Sequence, residues 1–427
     1  MAIQNPLFFF FVFFLSFSFL LLFSSSKTHP SDIEALRRLK HSVNPSSMPP
    51  SSCLSTWNFT HADPCDSLFS ADLFTCGFCC DSSTHTTSSL SLITEVTLDN
   101  AGYSGSLSSS VWSFKALRIL DISYNSFSGS IPELPSEKTA SLPTLRRVAL
   151  SKNQFGGEIP SGVFNGKVMV GLEELFLDGN EFTGEIPASV AGIESLRRLE
   201  LEGNHFSGII PSDLGSLKNL YVLDASDNIL SGPIPAKLPP SLVELSMRNN
   251  LLEGEIPMEI GNLGYVQVID LSMNKLSGSI PSTLLSHPSL QQLVLTNNKL
   301  SSISPPEFGG GGRSGLIELD LSKNQISGML PLWLVEMPML SSLSLENNGF
   351  TGMIPWVYAS KPLGRLMLAG NYLYGPIPFP LTTMKEGSST VSLADNCLFR
   401  CPEVFFFCQG GEQKPMKACR EVNPFIP

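Results

Sequence analysis

The sequence predicts a repeat solenoid of the α/β class, a stack of similar strand-and-return units closed at both ends by disulfide-stapled caps. Three observations predict it. The line "ILDISYNSFSGSIP", from Ile119 to Pro132, recurs along the chain as "ELFLDGNEFTGEIP", "RLELEGNHFSGIIP", "VIDLSMNKLSGSIP" and "SLSLENNGFTGMIP". A period of this kind decides a fold before any local signal does. Within each line, apolar residues alternate with polar ones and then give way to Asn, Gly and Pro, the writing of a short strand and a tight return. Finally, the nine cysteines lie only near the two ends.

The chain begins with an apolar run from Leu7 to Phe23, followed by Ser24, Ser25 and Ser26. A membrane span needs roughly 20 apolar residues, and small residues after a shorter run mark a secretory leader. Residues 1–26 are therefore expected to be a signal peptide, although no Lys or Arg precedes the run; an uncleaved signal anchor is the alternative. No later stretch is apolar for long enough to span a bilayer, so neither a membrane-spanning stem nor a cytoplasmic kinase is expected.

Residues 27–92 are expected to form an N-terminal cap and residues 397–427 a C-terminal one. Cys53, Cys65, Cys76, Cys79 and Cys80 lie in the first, and Cys397, Cys401, Cys408 and Cys419 in the second. In a secreted chain such clusters read as disulfides. The C-terminal four pair in any of three ways. The N-terminal five leave one over, Cys79 or Cys80, because vicinal cysteines rarely both find good geometry; with Cys79 as the odd one, the bonded set is Cys53, Cys65, Cys76 and Cys80.

Between the caps, residues 93–396 carry about twelve repeats and a partial last one. The marker Asn stands at 125, 153, 180, 204, 228, 250, 274, 298, 324, 348 and 371, most often 24 residues apart, with Ala101 in its place in the first repeat and Asn396 closing the last. In "LRILDIS", Leu117, Leu120 and Ile122 point inward while Asp121 and Ser123 point out. The Asn turns inward to satisfy backbone groups left open by the turn, so stacked copies form a hydrogen-bonded ladder. Phe127, elsewhere Leu or Ile, refills the core, Gly129 takes a backbone angle other residues resist, and Pro132 fixes the return. A single repeat buries too little; a stack buries a common core.

The pattern LxxLxLxxNxLSGxIP resembles the plant-specific leucine-rich repeat. The resemblance implies a curved, right-handed superhelix with a parallel β-sheet on its concave side and a second short sheet, made by the SGxIP part, along its flank. "SDIEALRRLKHSV…CLSTWNFTHADPC" also resembles that family's N-terminal cap, with a helix near Ile33 to Val43 and Trp57 covering the open core. "NCLFRCPEVFFFCQGGEQKPMKAC" resembles its C-terminal cap. The repeat at "KLSSISPPEFGGGGRSG" departs from the pattern: Ser302 replaces Gly, and Gly309 to Gly312 lengthen the return, so a soft spot is expected there. Two other long returns, "PELPSEKTASLP" and "SGVFNGKVMVG", are expected to bulge outward.

Catalytic and cofactor signals are poor. "GGGRSG" fits GxGxxG by letter but opens no βαβ unit. Cys76, Cys79 and His85 suggest zinc less well than disulfides in this setting. No nucleophile–base set stands out, so no enzyme, metal or cofactor is expected. Only 15 % of residues are charged and the net charge is -11, which argues against nucleic acid. Asn58-Phe59-Thr60 is the one good N-glycosylation triplet.

Outward strand positions place Glu174, Phe176 and Asp178 beside Arg198, Glu200 and Glu202, then beside Val222, Asp224 and Ser226. Strands about 4.8 Å apart make rows of Asp178–Glu202–Ser226 and Phe176–Glu200–Asp224, an acidic strip with one aromatic, ended by Arg248. Either this is a solvated face, or it binds a basic peptide or protein patch with Phe176 as the apolar anchor. The expected role is an extracellular recognition protein, in the apoplast or at the outer face of the plasma membrane, whose partner is a peptide or a protein such as a receptor kinase ectodomain. The rivals are an inhibitor of pectin-degrading hydrolases, which in that family has about ten repeats, and a pectin-bound wall scaffold using Arg118, Arg146, Arg147 and Arg197 as a basic edge.

Overall fold

A computed structural model describes residues 27–60, 62–70, 72–81, 90–135, 141–305, 313–399, 401–402, 404–422 and 424. The leader expected at residues 1–26, the soft spot at Gly309 to Gly312 and His85 lie outside these.

The main element is one sheet of 14 strands. Strand Phe78–Cys80 of the cap pairs antiparallel with Ile93–Thr97. The strands that follow, from Ile119–Asp121 to Thr390–Ser392, run parallel in chain order. Each is short because the pattern allows only one fully buried residue between two outward ones: Leu120, Leu175, Leu199 and Leu223 are all buried at its centre.

The expected asparagine ladder runs from Asn125 to Asn396. Asn228 is representative: its Nδ2 donates to the carbonyls of Leu201 (2.9 Å), Ala225 (3.3 Å) and Ser226 (2.8 Å), and its Oδ1 accepts from the backbone N–H of Phe206 (2.9 Å). Each Asn therefore serves its own turn and the repeat before it. A feature absent from the sequence reading lies one residue earlier. In all twelve of these repeats that residue is left-handed, with φ between 51° and 73°, although only Gly179, Gly203 and Gly370 are glycines. The Asn bonds hold the turn in a conformation that costs an ordinary side chain roughly 1 kcal/mol or more.

Behind the ladder, Phe127, Phe155, Phe182 and Phe206 stack with centroids 6.1 to 6.3 Å apart. Leu230, Leu252, Leu276 and Leu300 continue the column, fully buried. The return "SGVFNGKVMVG" exposes Ser161, Gly162, Lys167 and Val170 but is anchored from within. Val163, Phe164 and Met169 are buried, because three large apolar side chains in a loop gain more inside the core than outside.

The flank carries three short parallel sheets rather than one. The first runs from Ser104–Gly105 to His205–Ser207, the second from Ser231–Gly232 to Lys299–Ile303, and the third from Ser327–Met329 to Cys397–Phe399. Two lapses separate them. At the first, the two-residue strand Ser231–Gly232 keeps a single bridge, Ile209 to Ser231, with the Ser231 N–H donating to the Gly208 carbonyl (2.8 Å). At the second, Ser302 replaces the glycine. Ten glycines at this place, Gly129 through Gly375, have φ between 73° and 99°. Ser302 is not among the left-handed residues, and its pairing with the previous repeat slips by one residue after Gly278.

Both ends are capped. Helix α1, Pro30–His41, begins three residues before the expected Ile33, at a proline suited to a first turn. It buries Ala35, Leu36 and Leu39 over the first repeats, and Asp32 Oδ2 accepts from the N–H of Ile93 (3.0 Å). Trp57 is buried, and its indole N–H donates to the Cys76 carbonyl (2.9 Å). The bonded cysteines are Cys53–Cys76, Cys65–Cys80, Cys397–Cys419 and Cys401–Cys408, with Cys79 free. Cys76 is thus unavailable to zinc. Among the described residues, no helix is long and apolar enough to cross a membrane.

Candidate functional site

Parallel registration sets the outward rows of the long sheet. Phe176 lies opposite Glu200 and Glu200 opposite Asp224, as the spacing implied; Glu174 and Arg198 form the row beside them. What the spacing did not give is how these side chains are engaged. Phe176 is not a free anchor. Arg147, from the preceding strand, places its guanidinium carbon 4.5 Å from the ring centroid, and Arg198, from the following one, places its own at 5.5 Å. Cations over an aromatic face attract it electrostatically, so Phe176 is the centre of an arginine sandwich. Arg147 also reaches Glu174 (2.9 Å) and Asp121 (3.4 Å), and Arg198 pairs with Glu200.

The other candidates separate by partner. Asp178 is buried, accepts from the Ser151 hydroxyl and pairs with Lys152 (3.3 Å). Asp224 accepts the N–H of Ser226 (2.9 Å), and Asp121, Asp270 and Asp320 do the same for the Ser two residues on. That recurrent turn gives the Asp row a structural job. Glu202 and Arg248 make no ion pair among the described residues, and Arg248 is exposed.

A hollow of ≈ 440 Å³ opens on this face, and it lies nearer the N-terminus than the strip read from the sequence. Phe176, Asp178 and Glu200 line it. So do Asp99, Asp121, Tyr124 and Arg147, which the sequence reading left out of the strip. Glu174 and Arg198 border it through their pairs, while Glu202, Asp224 and Arg248 lie outside its lining. Arg147 was legible as an outward residue one strand upstream, in the row of Glu174 and Arg198; Tyr124 was not, because its exposure follows from the left-handed turn before Asn125.

The acidic residues work against one another. Burial raises Glu200 above the ordinary carboxylate range, and Asp178 and Asp224 add to this against the pull of Arg198. Glu202 is raised by burial first and then by Asp224, Asp227 and Asp178, against Lys152. A carboxyl whose folded value lies above its unfolded one holds its proton more tightly when folded. Its contribution therefore favours the fold as pH falls into that range and is lost as pH rises through the folded value. Glu202→Gln is accordingly expected to raise the melting temperature at pH 7. The gain should stay within about 1 kcal/mol for a partly solvated charge and vanish below the carboxylate range; melting curves from neutral to acid pH check this, and a lower melting temperature at pH 7 contradicts it.

The basic edge does not stay free. Arg146 and Arg197 share Glu173 (3.8 and 3.4 Å), and Arg147 is held as above; of the four, only Arg118 has no ion pair among the described residues. Asn58 is exposed at the N-terminal cap, its Oδ1 accepting from the N–H of Thr60 (3.0 Å).

A strand–Asn–return stack with paired-cysteine ends and an outward-facing hollow defines a leucine-rich repeat protein of the plant extracellular type, and the chain belongs to that family. Residues 29–69 match the leucine rich repeat N-terminal domain. Residues 288–350, 116–137, 171–193, 195–217, 241–263 and 265–286 match leucine rich repeats. The solved ectodomain of the plant membrane receptor kinase GASSHO1/SCHENGEN3 from Arabidopsis thaliana, in complex with CASPARIAN STRIP INTEGRITY FACTOR 2, is 31% identical with a TM-score of 0.76, covering 88% of this chain and 43% of its own. That of the Arabidopsis receptor kinase HAESA, in complex with the peptide hormone IDA and the co-receptor SERK1, is 34% identical with a TM-score of 0.61, covering 70% and 49%. An inactive leucine-rich repeat receptor-like serine/threonine-protein kinase of Arabidopsis thaliana is 32% identical over 153 residues, 36% of this chain. The chain spans under half the length of these solved chains and 19% of that curated relative. The expected right-handed superhelix with a concave parallel sheet is the fold these ectodomains share.

Proposed function

We propose that this chain is a non-enzymatic extracellular recognition protein that binds a basic peptide, or a basic patch of a partner protein, on its long sheet. The observation that carries the reading is the hollow in which four carboxylates, Asp99, Asp121, Asp178 and Glu200, surround the Arg147–Phe176–Arg198 sandwich. A ligand cation favours the charged form of the carboxylates it meets, and Glu200, raised by burial first and further by Asp178 and Asp224, is the one of the four with most to gain. Glu202, Asp224 and Arg248 extend the contact toward the C-terminus, and Glu174 orients Arg147. Two solved ectodomains similar to this chain are described with bound peptide hormones; a receptor kinase ectodomain is the partner this similarity favours, in the apoplast or at the outer face of the plasma membrane. Asn58 is the proposed glycan acceptor, exposed on the cap. The wall-scaffold reading is weakened because Arg146, Arg147 and Arg197 are already paired with carboxylates.

The test is charge reversal. Glu200→Lys together with Glu202→Lys is expected to weaken binding of a basic peptide captured from apoplastic extract at least about tenfold and to flatten its salt dependence. Titration calorimetry at two ionic strengths measures both. Unchanged affinity sinks the proposal.

A further inference from the structure

The third flank sheet carries an apolar face that the first two lack. The residue after the SG glycine is Ser130, Glu158, Glu185, Glu255 or Ser279 in earlier repeats, but Met329 and Met353 near the C-terminus. The residue after the IP proline is Glu133, Ser161, Ala188, Ser212, Ala236 or Ser282 earlier, but Leu332, Trp356 and Phe379 in the last three full repeats. Ile209 and Met258 are isolated exceptions. The same backbone positions thus accept Glu and Ser without apolar side chains, so the solenoid does not require the apolar ones.

These side chains lie on successive repeats of one flank. A Cβ on Gly352 would stand 3.2 Å from Met329 Cγ, and one on Gly375 3.0 Å from Met353 Cγ, so each Met lies across the glycine of the next repeat; the helical turns Trp356–Ser360 and Phe379–Thr382 lie side by side. Pro376 pairs in turn with Phe399. Met329, Leu332, Met353, Trp356, Phe379 and Phe399 are 53 to 77% exposed. With large side chains presenting on the order of 200 Å² each, they offer roughly 800 Å² of apolar surface. That exceeds the largest patch of a typical monomer, about 300–600 Å², and equals what one partner contributes to a standard protein interface, about 800 Å².

We infer that this face pairs two copies of the chain. The area is that of one half of a stable dimer. Its six side chains carry no charge, whereas the chain has a net charge of -11, so this is where two copies meet without setting like charges against each other. A single apolar face on each copy is also its own complement under a two-fold axis and closes at two subunits.

Sedimentation velocity on the secreted full chain tests it. The unaltered chain should show a concentration-dependent dimer at micromolar levels. Met353→Glu with Phe379→Ser, which writes in residues that other repeats carry at these places, should weaken dimerisation at least about a hundredfold while thermal melting stays unchanged. Ser279→Glu, the same charge outside the patch, should leave the dimer intact. A monomer at every concentration overturns the inference, whether or not the chain binds lipid vesicles or another protein. So does a dimer that survives the double substitution.

Discussion

Asn228→Ala is expected to cost about 2–3 kcal/mol of stability, a large loss for one substitution in the repeats. The substitution leaves the N–H of Phe206 without its partner in a dry interior, and the carbonyls of Leu201, Ala225 and Ser226 each lose one of two donors, keeping Asn204 Nδ2, Asn250 Nδ2 and the Gly203 N–H. A buried group left unpaired costs about 1–3 kcal/mol, and the lost second bonds at three carbonyls add to it. The left-handed residue before it, Asp227 at φ 52°, loses the bonds that hold it there. The chain contains its own control. Ala101 occupies this place in the first repeat, where no earlier repeat presents an N–H to be served, and Asn125 of the next repeat reaches back to the Asp99 carbonyl instead. Denaturant titration followed by circular dichroism measures the loss; a change below about 0.5 kcal/mol, the level of an ordinary surface substitution, contradicts the ladder's role.

Phe182→Ala is the second large effect, expected at about 3–4 kcal/mol, from lost transfer energy and the cavity left behind. Phe182 is fully buried between Phe155 and Phe206, with centroids 6.3 and 6.1 Å away, so neither neighbouring ring closes the gap without moving its own repeat. Phe182→Leu should cost less than about 1.5 kcal/mol, because Leu230, Leu252, Leu276 and Leu300 fill the same place farther along. Comparing the two variants by thermal melting separates volume from the need for an aromatic ring. Equal losses would mean that ring stacking itself holds the column.

Much of this fold was legible because each repeat position answers a local physical demand. Leu120 must face in, Asn125 must satisfy a turn, and Phe127 must refill a layer, whatever lies elsewhere. The same holds for the caps, where an open core needs Trp57 and a staple. The rest was hidden because it depends on neighbours one repeat away. The expected single flank sheet is three, because pairing there depends on the fit of adjacent repeats, as where the register slips between Gly278 and Ser302. The rows Phe176–Glu200–Asp224 followed from strand spacing, but the engagement of Phe176 did not. Arg147 stands 29 residues before Phe176 in sequence, and only the sheet reveals that it leans over the ring. Asp224 looked like a free carboxylate until the turn it closes at Ser226 was in view.

The two lapses in flank pairing have a mechanical consequence. The long sheet is continuous through all 14 strands, while the opposite border is stitched in three separate lengths, ending at Ser207 and at Ile303. A ribbon bound along one margin and thinned at two points along the other bends where it is thinned. Changes in the arc of the solenoid, when cargo seats on its inner surface, would therefore concentrate at these two seams and leave three stiff leaves between them. The hollow lies wholly within the first leaf and the apolar face within the third, so the seams decide how the two are aimed.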